Sequence, residues 1–195
     1  MKRLFDILSS ILGLILLSPI LLLITIAIKI DSIGPVFFRQ TRVGRRNRNF
    51  RIFKFRTMWV GSDRGSLVTI GNNDSRITRI GSFLRQYKLD ELPQLINVLI
   101  GDMSIVGPRP EVRHYVDYWT ADQMRVLNVR PGITDPASVK FINENELLAQ
   151  ASDPEQYYIH VIMQDKINIY LDYVDHHSFL GDIGIIFKTF GKILK

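Results

Sequence analysis

Cysteine is absent from this 195-residue chain. Its absence excludes a disulfide framework, a thiolate metal site and a cysteine nucleophile, and it permits a reducing compartment without requiring one. Acidic residues are in the minority, 19 against 25 basic ones, which leaves a formal net charge of +6 and a pI near 9.6. The expected partner is therefore anionic: nucleic acid, a membrane surface or a phosphorylated substrate. No glycine-rich dinucleotide fingerprint and no P-loop occurs, so a Rossmann domain is not expected. Histidines number four, and only His176 and His177 are close in sequence. Adjacent residues do not share a helix face, so a zinc site is not expected either.

Charge is also missing from Ile7 to Ile28, about 22 residues, nominally enough to cross a bilayer core as a helix. Ser18-Pro19 lies in the middle of the run, where proline removes a helix hydrogen bond and biases Ser18 away from α geometry. Lys2 and Arg3 precede the run, while Lys29, Arg39, Arg42, Arg45 and Arg46 follow it. Basic flanks on both sides favour keeping both ends in the cytoplasm. By these residues alone a kinked span and a re-entrant helix broken at Ser18 and Pro19 stand level, with the Ser18 hydroxyl available to a freed carbonyl. A cleaved signal peptide fits poorly, because the run is long and no small-residue cleavage pattern follows.

Over the whole chain the 46% hydrophobic composition suits one domain with a real core. Between 36 and 60, aromatics alternate with Arg and Lys in a pattern of short strands. Such interleaving also occurs on RNA-binding surfaces, but no complete recognition motif accompanies it. Gly61-Ser62-Asp63, Gly65-Ser66 and Gly71-Asn72-Asn73-Asp74 predict a loop, either a lid or an ordinary surface loop, leading to a helix that starts near Ser75 or Thr78 and runs toward Arg85.

Chemistry concentrates further on. In Leu89-Asp90-Glu91-Leu92-Pro93-Gln94, Pro93 fits the first turn of a helix that the apolar residues continue to Gly101. Asp90 and Glu91 then sit at that helix's positive end, as caps or as a nucleophilic pair. Gly107-Pro108-Arg109-Pro110 is a stiff turn that holds Arg109 in a narrow range of directions. It suits either bidentate contact with a phosphate or a solvated surface position.

Together these segments resemble the monotopic phosphoglycosyl transferases, a bacterial sugar transferase family. Lys54-Phe55-Arg56-Thr57-Met58, Asp74 with Arg76-Ile77-Thr78-Arg79-Ile80-Gly81, Leu84-Arg85 and Arg130-Pro131-Gly132-Ile133-Thr134 also look like family segments, in the expected order. Gln86-Tyr87-Lys88 departs from it, standing where many members carry Lys and Ser before the dyad. The resemblance implies that Asp90 attacks the β-phosphate of a UDP-sugar, releases UMP and holds the phosphosugar until polyprenyl (undecaprenyl) phosphate takes it. It implies Glu91 as the partner of Asp90, a Mg²⁺ requirement with Asp90 as metal ligand, Arg85 as a phosphate ligand and Pro108, Arg109 and Pro110 at the nucleotide. Lys54 and Arg56 are weaker phosphate candidates. It also decides for re-entry at Ser18 and Pro19, at the cytoplasmic face of the bacterial inner membrane.

Ser152-Asp153-Pro154-Glu155 predicts the start of a long helix ending near His176. Ile183, Ile186, Phe187 and Phe190 then share a face opposite Lys188 and Lys192, the pattern of an interfacial amphipathic helix or of a terminal helix docked on the core. The expected architecture is α/β, mostly helical with short strands. It comprises a membrane helix over 1–30, a catalytic unit over 31–178 and an amphipathic helix over 179–195. Expected partners are the UDP-sugar, the polyprenyl phosphate and membrane lipids, with no nucleic acid; a homo-oligomer is compatible. The rival expectation is a non-enzymatic basic protein that binds a membrane surface or nucleic acid.

Overall fold

In a computed structural model, which describes residues 1–62, 74–138, 140–141 and 143–193, the uncharged run lies inside one helix, α1 (Lys2–Asp31). Ser18 and Pro19 do not divide it into the expected helix-break-helix. Pro19 removes only the backbone bond that the Ile15 carbonyl would accept, and Ser18 Oγ donates to that carbonyl at 2.8 Å. With the orphan acceptor satisfied locally, the flanking residues stay helical. Leu8, Leu12, Ile15, Leu16, Leu22 and Leu23 along α1 are exposed, an apolar sleeve far larger than a water-facing surface normally carries.

Both ends of α1 are fastened to the same body. At the start, Arg3 donates to the carbonyls of Val98 and Leu99, and the buried Asp6 carboxylate accepts from Ser104 Oγ and the Ile105 amide. At the other end Ile24 and Ile28 share a core with Phe55 and Leu84, and Asp31 accepts from the Ile80 amide.

Among the described residues the strands are short and occur as three pairs. β1 (Phe37–Phe38) runs antiparallel to β4 (Lys54–Phe55), and β2 (Thr41–Val43) runs antiparallel to β3 (Asn49–Arg51). β5 (Ser104–Val106) and β6 (Gly132–Thr134) form a parallel pair with Val106 abreast of Thr134. Helix α2 (Arg79–Gln86) starts at Thr78, whose Oγ1 accepts from the Gly81 amide, as one of the two expected starts required. The predicted loop, expected as either a lid or an ordinary surface loop, falls mostly on residues 63–73, outside the described residues. Helix α3 (Gln94–Ile100) ends at Gly101 as expected. After a short α4 (Arg113–Val116) and β6 come α5 (Glu144–Gln150) and then one uninterrupted helical run. It comprises α6 (Pro154–Tyr157), capped by Asp153, a π turn over Tyr158–Ile162, and α7 (Met163–His176). The run packs Ile159, Ile162, Met163, Ile167 and Tyr170 against Val112, Tyr115 and Val126, the largest core. Helix α8 (Phe179–Ile193) is tied to α1 by an ion pair between Asp182 and Lys2 and by an edge-to-face contact of Phe179 with Phe5.

Candidate active site

Asp90 and Glu91 lie in a separate 3₁₀ turn, Leu89–Glu91, immediately ahead of α3 and not within its first turn. Lys88, at φ 56°, reverses the chain into that turn, and Pro93 adopts helical angles to hand it on to α3. The turn tucks Asp90 inward, leaving it 7% exposed.

Three elements bring cations to this pair. Lys54 on β4 is 2.7 Å from Glu91 Oε1 and 3.9 Å from Asp90 Oδ2. Its strand is held by Asn97, a fully buried residue of α3 that accepts from the Phe53 amide and donates to the Arg51 carbonyl. Arg85 comes from α2, where its Nε donates to Thr57 Oγ1 at 2.9 Å. A side chain at Gly81 would stand 2.1 Å from the Thr57 carbonyl oxygen, so only glycine lets α2 close on this segment. Arg109 completes the set, pairing with Glu91 through both of its terminal nitrogens.

The Pro-Arg-Pro turn is sewn down on two sides. Gly107 donates to the Thr134 carbonyl at 3.0 Å and the Gly132 amide donates to the Pro108 carbonyl at 2.9 Å. A β-carbon at Gly107 would lie 2.4 Å from the Arg130 carbonyl oxygen, so this seam too requires glycine. On the other side the Val43 amide donates to the Glu111 carbonyl at 2.8 Å. Pro108 and Pro110 are buried, while the Arg109 side chain stays 42% exposed.

The carboxyls of this dyad are perturbed in opposite directions. Burial pushes Asp90 up, Lys54 opposes it and the neighbouring Glu91 charge adds to the rise; the net shift is upward. Burial also pushes Glu91 upward, but Arg109 and Lys54 together outweigh it and hold Glu91 well below the usual carboxylate range. Arg109 is raised well above its ordinary value, chiefly by Glu91. Arg85 is lowered by burial, with Asp90 and Asp74 acting against that. Asp74 itself is held down by its bidentate contact with Arg76. The result is an enclosed acid, Asp90, with Lys54 at 3.9 Å and Arg85 acting on it electrostatically, while its neighbour is already matched by two cations.

Of the sequence-predicted residues, Asp90, Glu91, Lys54, Arg85 and Arg109 converge here. Arg56 does not: it is buried, and it donates from Nε to the Pro35 carbonyl and from Nη2 to the Ser32 carbonyl, closing the exit of α1. Ser18 and Pro19 are exposed in the apolar sleeve of α1, away from the dyad. Sequence reasoning passed over Asn97, which carried no signal among apolar helix residues. It also passed over the buried Asp135, which accepts from the Tyr170 hydroxyl at 3.1 Å.

A family model described as bacterial sugar transferase matches residues 1–195. The chain belongs to the bacterial sugar transferases. This sugar transferase is 40% identical, over 99% of its length, to a UDP-N-acetylgalactosamine-undecaprenyl-phosphate N-acetylgalactosaminephosphotransferase of Aeromonas hydrophila, of which it covers 43%. It is 42% identical over 98% of its length to a UDP-glucose:undecaprenyl-phosphate glucose-1-phosphate transferase of Klebsiella pneumoniae, covering 39% of that protein. It is 36% identical over 99% of its length to a protein of the same description from Caulobacter vibrioides, covering 69%. The sugar transferase thus spans about two fifths of the length of the first two relatives.

Proposed function

We propose that this chain transfers a phosphosugar from a UDP-sugar to undecaprenyl phosphate, or a polyprenyl phosphate like it, in two displacements at Asp90. The observation that carries the reading is the joining of the dyad to the Pro-Arg-Pro turn through Glu91 and Arg109, with Lys54 and Arg85 beside Asp90. Family membership and the substrates named in the relatives' descriptions support it.

In the first displacement an Asp90 carboxylate oxygen attacks the β-phosphorus, and the bond from that phosphorus to the bridging oxygen breaks. UMP leaves with the bonding electrons and the sugar phosphate stays on Asp90 as an acyl phosphate. In the second, a phosphate oxygen of the lipid attacks the same phosphorus and the Asp90 carboxylate departs, giving the polyprenyl diphosphate sugar. No general base is required, because the lipid phosphate is already anionic near neutral pH. Fixed cations suit this chemistry, since phosphoryl transfer is favoured mainly by positioning and by charge stabilisation. Glu91 keeps Lys54 and Arg109 in place, and Arg109 takes the nucleotide's phosphates, with Pro108 and Pro110 framing it.

Mg²⁺ is part of the proposal. Magnesium accepts one or two carboxylates together with substrate phosphates, and Asp90 has no cation closer than 3.9 Å among the described residues, so Asp90 would be the protein's ligand to the metal. When bound, it neutralises charge on the diphosphate.

The anchor belongs to the same reading. Both ends of α1 are bonded to one body, and this supports, over a span, a re-entrant or in-plane helix with its two ends on one side of the bilayer, at the cytoplasmic face of the inner membrane. Detergent-solubilised protein should release UMP from a UDP-sugar only when that sugar matches the site, and should form a lipid-linked product when polyprenyl phosphate and Mg²⁺ are added. Failure across a panel of UDP-sugars would leave an anion-binding membrane protein.

A further inference from the structure

The peptide bond that leads into the Pro-Arg-Pro turn joins Val106, the last residue of β5, to Gly107. Its amide is fixed by β6, because the Gly107 N–H donates to the Thr134 carbonyl. Its carbonyl meets the start of α1. There Lys2 Nζ donates to the Val106 carbonyl at 2.9 Å, and the Tyr173 hydroxyl of α7 stands 3.3 Å from the same oxygen. Both groups also meet Asp182 of α8, Tyr173 at 2.7 Å from Oδ1 and Lys2 in an ion pair with Oδ2. Asp182 is 2% exposed and Val106 1%.

Counting protons assigns these contacts. A phenol has one hydrogen to give, and the Asp182 carboxylate, closer and charged, takes it in preference to a carbonyl 3.3 Å away. The Lys2 ammonium has three hydrogens and three acceptors around it: the Val106 carbonyl, Asp182 Oδ2 and, at 3.3 Å, the Tyr173 oxygen. Among these side chains the Val106 carbonyl therefore depends on Lys2. One turn further along α1, Asp6 accepts from Ser104 Oγ and the Ile105 amide, so the start of α1 grips β5 at three successive residues. An ion pair of this kind adds little net stability over an apolar pair of similar volume. An apolar pair, however, could not hold the backbone of the arm that carries Arg109, three residues beyond Val106.

We infer that Lys2, locked by Asp182, is a positioning residue that fixes the entry of the Pro-Arg-Pro turn and thereby aims Arg109 at the nucleotide's phosphates. The role rests on the nucleotide reading of Arg109 given above, and it acts on nucleotide binding through the backbone, not on the chemical step.

The test uses the full chain in detergent, with UDP in magnesium buffer as the calorimetric probe. Removing the cation alone would leave Asp182 buried and unanswered, so Lys2→Met is combined with Asp182→Asn, which still accepts from Tyr173. The pair variant should weaken UDP binding about fivefold, within the range that coupling through packed elements carries. For the UDP-sugar that supports UMP release, KM should rise by a similar factor while kcat stays within about twofold. In an Arg109→Ala chain, which itself binds UDP more weakly, the same pair should cause no further loss. Tyr173→Phe should weaken UDP binding less than the pair does, because Lys2 keeps its bond to Val106. If the pair variant does not fold, Asp182→Asn alone carries the test: it unlocks the ammonium and should weaken binding about twofold, again only with Arg109 present. Unchanged UDP binding in a folded pair variant, a loss that is the same with and without Arg109, or a loss in Tyr173→Phe as large as the pair's overturns the positioning role alone. Absence of UDP binding by the wild-type chain overturns the nucleotide reading, and the positioning role with it.

Discussion

Asp90 and Glu91 are adjacent in the chain but have opposite electrostatic fates, because Glu91 faces Lys54 and Arg109 at bonding distance while the nearest bonding atom of Lys54 is 3.9 Å from Asp90. The carboxylate proposed to attack phosphorus is thus the one that folding disfavours in its charged form. Asp90→Asn should abolish UMP release and the labelled covalent adduct, since an amide cannot form the acyl phosphate. The same substitution should raise Tm at neutral pH, by roughly 2–4 °C for each kcal/mol of relieved strain in a chain of this size. The sign follows from linkage. A carboxyl whose folded pKa is raised contributes stability below its unfolded pKa and loses it as pH rises through the folded value. The Asn advantage should therefore be full at neutral pH and vanish as pH falls below the ordinary aspartate range. Thermal melts across pH check it, and a lower Tm for Asp90→Asn at neutral pH would contradict the upward shift. Glu91 runs the other way: its lowered pKa stabilises the fold above the ordinary glutamate range, and that is lost as pH falls through its folded value.

At the scale of elements, the site depends on how two-residue strands and short helices are stapled together. β4 has only two residues, too few to define the position of Lys54 by ladder bonds. Asn97 supplies the missing order through its bonds to Phe53 and Arg51, and a further contact to Asp102. Asn97→Ala should cost about 2 kcal/mol, because it leaves the part-buried Phe53 amide without its acceptor and the Arg51 carbonyl with only the Arg39 guanidinium. It should also lower kcat/KM by displacing Lys54. Denaturant unfolding and steady-state kinetics read the two effects, and unchanged kinetics with lowered stability would mean that Lys54 holds its place without Asn97.

For the whole molecule, the decisive feature is that α1 exposes an apolar sleeve while both of its ends are bonded to one body. Cysteines placed at Lys2 and Ser32, in a chain with no other thiol, should both resist an impermeant reagent in intact cells and react after permeabilisation. Labelling of Lys2→Cys in intact cells would mean a spanning anchor that pulls away from the body. Replacing Ser18 and Pro19 with Ala and Leu restores the backbone bond to Ile15 and should favour a straight, spanning helix with reduced activity.

Local rules made several features readable from sequence: the length of the apolar run, the start of α2 at Thr78, the stop of α3 at Gly101 and the Asp153 cap of the long helical run. Each depends on residues within a turn of one another, where dihedral preference and capping decide. The convergence of Asp90, Glu91, Lys54, Arg85 and Arg109 was proposed from a family likeness, not from any local rule. Tertiary structure alone decided the rest. The continuity of α1 through Ser18 and Pro19 is the exception, a local matter in which Ser18 Oγ satisfied the carbonyl that proline orphaned. Arg56 was turned onto backbone carbonyls at the exit of α1. Tyr170 reached Asp135 from 35 positions further along the chain, through a packed helix face. Electrostatic pairing over such separations depends on which buried surfaces pack, and no periodicity in the sequence records it.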